Sequence, residues 1–205
     1  MIADGRQGEP GRIRPLSVDL AEYRRRSVAS LYSNLVTRPT GRAVRMGVES
    51  QIAELERSQA LCLLVLDFSQ VRILDFSCAD EIVAKLILRY AQERPAVQVY
   101  FLARGVHDHH AEAIEAVLDR HGLLLVTESE AAVFRLLGSR DDAISTCWDH
   151  LHRHGRLGAD EAADCLGVDF DTAAAVLASL AAHRVVVPFA DGSVRPVHLL
   201  DRPEG

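Results

Sequence analysis

The sequence predicts an α/β fold followed by a smaller module of helices and a hairpin. Two observations predict this. Between residues 61 and 127, apolar runs of strand length alternate with segments of helix length, which indicates a sheet with right-handed crossovers. After Ser139 the alternation ends, and three helical segments precede two short β-branched runs. We therefore place a domain boundary near Ser139, with one domain over 16–138 and another over 139–205.

The first domain contains the most apolar stretch, LCLLVLDF, a continuous run typical of a strand covered on both faces. Further strands are predicted at VRIL, VQVYFLA and LLLVTE, and segment 17–36 looks helical at first and extended later. Helices are predicted at GRAVRMGVESQIAELERS, SCADEIVAKLILRYAQE, DHHAEAIEAVLDRHG and the short SEAAVFRLLG. Residues 1–15, rich in Gly, Pro and Arg, are expected to form a disordered tail.

The second domain has the element order of a winged helix-turn-helix module. RDDAISTCWDHLHRHG, ADEAADCLG and DFDTAAAVLASLAAHR each have the length and pattern of a helix. VVVPFADGSVRPVHLL then indicates two strands around an Asp191-Gly192 turn. Three helices and a hairpin in about 60 residues predict a winged-helix-like α+β domain.

Composition narrows the class of protein. No apolar run approaches the ~20 residues of a membrane span, and the N-terminus lacks the apolar core of a signal peptide, so we expect a cytoplasmic location without membrane contact. The four cysteines form no C-x-x-C pair, which disfavours a disulfide scaffold or zinc ribbon. A single lysine among 23 basic residues is typical of a GC-rich bacterial genome.

The tetrapeptide LDFS occurs twice, ending at Ser69 and at Ser77. The first copy ends a predicted strand, so Asp67 and Ser69 fall at the edge where α/β folds present functional groups. In the second copy, Ser77 is predicted to cap the next helix, with Asp80 as a weak capping-box partner. Backbone N–H groups at a helix start favour anions, so a phosphate on Ser77 would bind them.

Residues 65–87, VLDFSQVRILDFSCADEIVAKLI, resemble the central motif of STAS domains, the fold of anti-sigma-factor antagonists. That motif reads as an apolar run, L-D-L-S, a short apolar linker, and D-S-S-G opening a helix; Asp75 falls on its aspartate. The chain is more similar still to a divergent STAS-like family with L-V-S-R, then L-D-F-S-x-V, then F-A-D-E. LVTR, LDFSQV and SCADE match these segments in order. The resemblance covers roughly residues 30–127 and implies a mixed sheet with packed helices.

The resemblance implies a non-enzymatic regulatory module that binds protein partners. In the family those partners are ATPase-type kinases that act as anti-sigma factors. The phosphorylated serine of switched STAS domains directly follows the motif aspartate, where this chain has Phe76, so a switch would have to use Ser77. The alternative is that Ser77 only caps the helix. The predicted partner-binding edge consists of Asp67, Ser69, Asp75, Ser77 and Asp80.

An enzyme is disfavoured, because no P-loop, G-x-S-x-G or G-x-G-x-x-G pattern occurs. No cofactor is expected. Cys147, His150 and His154 are spaced three and four apart, and on one helix face they would offer zinc-type ligands; the alternative is that they flank a buried stripe. The other histidine group, VHDHH at 106–110, lacks i, i+4 spacing and is predicted to be a solvated loop and helix start.

DNA binding by the second domain is the alternative function. Residues 139–205 hold 6 Lys+Arg against 11 Asp+Glu, whereas a DNA-binding surface is normally basic. The predicted recognition helix starts acidic and reaches its first basic residue at Arg184, and the hairpin adds Arg195. The small side chains of this helix favour contact with protein, such as a second copy in a homodimer or another partner.

Overall fold

The computed structural model describes residues 15–19, 34–55, 61–92, 98–138 and 141–200. The strands are β1 (Pro15–Asp19), β2 (Asn34–Leu35), β3 (Leu61–Asp67), β4 (Ile73–Leu74), β5 (Gln98–Arg104), β6 (Leu125–Glu128), β7 (Phe134–Leu137), β8 (Val186–Pro188) and β9 (Val194–Pro196). The main sheet has the order β1-β3-β5-β6-β7, with β7 antiparallel to β6 and the other pairs parallel. A parallel ladder joins β2 to β4, and β8 and β9 form an antiparallel hairpin. The predicted α/β class is confirmed at this level.

The helices lie on both faces of this sheet. They are α1 (Arg38–Leu55), α2 (Phe76–Ala79), a π-helical turn (Asp80–Ala84), α3 (Lys85–Gln92), α4 (Asp108–His121), α5 (Asp142–His154), α6 (Ala159–Leu166), α7 (Phe170–Ala182) and a 3-10 turn (Val197–Leu199). The segment α2–π–α3 is continuous and corresponds to the single helix predicted there. Among the described residues no single helix is long and apolar enough to cross a membrane; only α6 and α7 taken together reach that length and composition, and they are bent by 107° at their junction.

One face of the sheet packs against α1, the α2–π–α3 segment and α4. Side chains alternate along each strand, so Leu64 and Leu66 of β3 point to this side. They meet Ile52 of α1, Ile82 of the π turn and Ile114 of α4, all fully buried. This layer forms the larger of the two cores.

The opposite face packs against the C-terminal module. Leu63 and Val65, the alternate residues of β3, belong to one core with Trp148 of α5 and Leu180 of α7. The same core includes Tyr100, Leu102, Leu124, Val126, Val185 and Val197. The prediction that LCLLVLDF is a strand covered on both faces is therefore confirmed, and the covering of the second face comes from beyond the predicted domain boundary.

Two element predictions were wrong. Segment 17–36 was expected to begin as a helix, but residues up to Asp19 belong to β1, paired in parallel with β3. The short helix predicted at SEAAVFRLLG is instead β7, which pairs with β6 and is followed by Gly138 with φ of 88°. In both places a neighbouring strand offers a ladder of hydrogen bonds, and this tertiary pairing overrides local helix propensity. The predicted disordered tail lies outside the described residues, except that Pro15 begins β1.

Candidate functional site

The second LDFS copy forms the start of α2, and its aspartate is the cap. Asp75 has extended backbone angles, and its Oδ1 accepts from the backbone N–H of Cys78 at 2.8 Å. Ser77 lies inside the first turn, where its hydroxyl donates to the Asp75 carboxylate at 2.9 Å. The prediction that Ser77 caps the helix with Asp80 as its partner was therefore wrong. Asp75 already has the extended geometry of a cap, so the helix begins at Phe76.

The segments LVTR and SCADE lie side by side. The carbonyl of Leu35 accepts from the backbone N–H of Asp75 at 2.9 Å, which extends the β2–β4 ladder. The Cys78 thiol donates to the carbonyl of Thr37 at 3.0 Å. Gly41 of α1 permits this approach, because a Cβ there would lie 2.9 Å from the Cα of Cys78. We call this meeting of residues 35–41 and 75–81 the motif junction.

Two buried carboxylates lie within the motif junction. Asp80 and Glu81 are 6% and 3% exposed and occupy the π-helical turn, a geometry often found at functional sites. Arg38, the last residue of LVTR, pairs with Asp80 at 2.8 Å and with Glu81 at 3.0 Å. One guanidinium thus joins the start of α1 to the π turn.

Further basic groups surround this pair. Glu81 also binds Lys85 and the Nε of Arg45, the latter at 3.2 Å. Asp80 lies 3.6 Å from the Lys85 ammonium and 3.0 Å from Nε2 of His121. A third acid, Glu49, binds two arginines. Among the described residues, the charge cluster consists of Arg38, Arg45, Glu49, Asp80, Glu81, Lys85, Arg89 and His121.

The charge cluster keeps both carboxylates ionised. Burial acts to raise the pKa of Asp80, but hydrogen bonds from Arg38 and His121 and the charge of Lys85 hold that pKa below its usual value. Burial likewise opposes ionisation of Glu81, and its bonds to Lys85 and Arg38 lower its pKa overall. Paired acids whose pKa is lowered suit a rigid structural connection better than proton transfer near neutral pH.

The five residues of the predicted partner-binding edge separate into three places. Asp75 and Ser77 lie together at the start of α2, whereas Asp80 turns inward to the charge cluster. Asp67 and Ser69 form their own turn at the end of β3, where Asp67 Oδ1 accepts from the Ser69 N–H at 2.9 Å. This turn packs beneath Gly105, the residue that follows β5.

Sequence reasoning did not identify Arg38, Arg45, Glu81, Lys85 and His121 as parts of the site. One signal was available for Arg38 and Glu81, because they are the last residues of LVTR and SCADE, the two segments already singled out as motifs. Another was Lys85, the only lysine of the chain, four residues after Glu81 and therefore on the same helix face. The contributions of Arg45 and His121 depend on how α1 and α4 pack, which no local pattern reveals.

Histidine 110, predicted on a solvated helix start, is fully buried instead. Its ring lies 6.0 Å from the ring of Phe68 and is flanked by His107 and His109. Its Nδ1 accepts from the backbone N–H of His107 at 3.4 Å, which helps to cap α4. Burial, with a smaller contribution from the two neighbouring imidazoles, lowers the pKa of His110 to about 4.

The structure does not bring together the predicted metal ligands of α5. Cys147 is fully buried in the core beside the sheet, and burial raises the pKa of its thiol to about 12. His150 and His154 stack on each other with ring centroids 4.2 Å apart. Within the described part of the chain, no group of three His, Cys, Asp or Glu side chains is arranged to hold a metal ion. All three residues lie on one helix, as the sequence spacing predicted, but Cys147 is buried in the core.

The two arginines of the DNA-binding alternative belong to the C-terminal module. Arg184 has a positive φ of 57°, and its guanidinium donates to the carbonyl of Val99 in β5 at 3.0 Å. This contact directs Arg184 toward the sheet. Arg195 lies half-buried on β9. The exposed start of α7 instead carries Phe170 and Asp171, an apolar and an acidic side chain.

Comparisons of this chain with protein-family models, with curated proteins and with solved structures found no match.

Proposed function

We propose that this protein is a non-enzymatic regulatory interaction module of the anti-sigma-factor-antagonist type. The observation that carries the proposal is the motif junction. LVTR and SCADE resemble two segments of one divergent STAS-like family, and hydrogen bonds and ion pairs join them across about 40 residues of chain. Because these two segments contact each other directly, they form one structural unit, and this supports interpreting them together.

The start of α2 is the surface at which a partner would bind. Phe76 occupies the position of the phosphorylated serine in switched STAS domains, and its side chain is 38% exposed. Arg120 lies over this ring at 5.9 Å. An exposed aromatic ring beside an arginine is a typical anchor in protein interfaces.

Ser77 is the proposed switch. Its hydroxyl is bonded to the cap residue Asp75, so a phosphate there would place about −2 charge next to that carboxylate. The repulsion would break the cap and rearrange the first turn of α2. Modification would therefore act by disrupting the binding surface, and we expect the modified form to lose its partner.

The test is affinity capture from the native cell lysate with three baits: wild type, Ser77→Asp and Ser77→Ala. We expect wild type and Ser77→Ala to retain an ATPase-type kinase, and Ser77→Asp to lose it. Ser145→Asp, at an exposed position of α5, is the matched control for an added charge near a helix start. Equal capture of the kinase by wild type and Ser77→Asp would show that Ser77 is not a switch. Capture of no such ATPase by any form would contradict the proposed function itself.

A second candidate is a DNA-binding regulator with a STAS-like sensor domain. The observation in its favour is the pair α6 and α7, which meet at 107° ahead of a hairpin. It predicts DNA binding that weakens with salt and with Arg195→Ala. Absence of binding to random and genomic duplex DNA at low salt would exclude it.

A further inference from the structure

Five of the seven exposed large apolar side chains in the described part of the chain lie at two places; the other two, Met46 and Val133, lie elsewhere. Val36, Ile73 and Phe76 lie around the β2–β4 ladder and the start of α2, and each is at least 38% exposed. Val168 and Phe170 lie at the junction of α6 and α7, and Phe170 is 53% exposed. Grouped exposed apolar residues indicate a contact surface more often than scattered ones do.

The first place, which we call the basic patch, is bordered by arginines. In the β2–β4 ladder Leu35 and Leu74 are buried, so the alternating side chains of Ile73 and Val36 face outward. The exposed arginines around the ladder are Arg42, Arg72 and Arg120; Arg38 is also exposed, but its guanidinium already pairs with Asp80 and Glu81. Of these, Arg120 lies directly over the Phe76 ring.

The second place, which we call the acidic elbow, has the opposite charge. Residues 157–182 contain five acids and no Lys or Arg. These acids are all exposed: Asp160, Glu161, Asp164, Asp169 and Asp171. The acidic elbow therefore combines an exposed aromatic ring with acidic side chains, and its own residues carry no Lys or Arg.

We propose that the basic patch of one copy of this protein binds the acidic elbow of a second copy. Each surface offers exposed apolar side chains, and the two surfaces have opposite charge. Pairing of the basic patch with the acidic elbow is therefore favoured over pairing of two basic patches or of two acidic elbows. The contact joins two different surfaces. It therefore closes into a dimer only if both pairs form reciprocally, and otherwise produces a ring or an open chain. The proposal does not depend on the proposed function, because it requires no other protein.

The test is sedimentation of the full chain over a wide range of protein concentration. We expect the average mass to rise above that of a monomer with concentration, and to fall again at high salt, which screens charges. One variant reverses the basic patch, Arg72→Glu with Arg120→Glu. Another reverses the acidic elbow, Asp164→Arg with Asp171→Arg, and leaves the α7 cap residue Asp169 intact. Each variant alone should sediment as a monomer.

Mixing the two variants provides the control for folding. The first retains a normal acidic elbow and the second a normal basic patch, so an equimolar mixture should regain association. A wild-type protein that stays monomeric at every concentration would overturn the proposal. So would charge-reversed variants that associate as wild type does, or monomeric variants whose mixture stays monomeric.

Discussion

Replacing His110 with glutamine should remove a large part of the acid sensitivity of this protein. The buried ring has a folded-state pKa of about 4 against 6.5 for the free side chain. The unfolded chain therefore binds more protons between these values, and stability falls as the pH drops through this window. The full effect is about 3 kcal/mol at ~1.4 kcal/mol per pKa unit. Between about pH 7.5 and pH 5, above the range in which the acids titrate, about 2 kcal/mol of it is lost.

Urea unfolding of wild type and His110→Gln across this range measures the effect. Glutamine keeps an acceptor for the His107 N–H, as capping boxes prefer, but it does not ionise. The variant should be less stable overall, because it loses packing against Phe68, yet its free energy of unfolding should vary much less with pH. His154→Gln, at an exposed position, is the control for the loss of one histidine. Equal slopes for wild type and His110→Gln would refute the reasoning.

Four further outcomes are expected, each measured by urea unfolding unless stated. Asp75→Ala should lower the free energy of unfolding by about 1 kcal/mol, because it removes the α2 cap. Asparagine can still cap a helix, so an equally large loss in Asp75→Asn would contradict this explanation. Glu81→Ala should cost about 2 kcal/mol, because a buried acceptor of charged hydrogen bonds is lost; an unchanged midpoint would count against it. Gly105→Ala should destabilise far more than Gly122→Ala, since both have positive φ but only at Gly105 would a Cβ meet a neighbour, at 2.2 Å; equal effects would show that the site relaxes. Ending the chain after Gly138 should expose one apolar face of the sheet and cause aggregation in light scattering, whereas a soluble, folded fragment would show that the C-terminal module is dispensable.

The candidate site was only partly predictable. The segments around Arg38, Asp75 and Asp80 could be singled out from the sequence, because LVTR, LDFS and SCADE are local patterns. These patterns did not show that Asp80 turns inward while Ser77 is only half-buried at the start of α2. That difference depends on the π-helical turn and on the packing of α1 and α4, which bring Arg38 and His121 to the same carboxylate.

The sequence by itself determined the α/β class and the central strands β3, β5 and β6, because apolar periodicity and length record burial directly. It also determined the order of three helices and a hairpin after Ser139. Only the tertiary structure decided that β7 is a strand, that His110 and Cys147 are core residues, and that the C-terminal module covers the second face of the sheet. These features depend on contacts between segments far apart in the chain. In short segments, strand pairing and burial against a distant part of the chain outweigh the local preference for helix or strand, which is only a few tenths of a kcal/mol per residue.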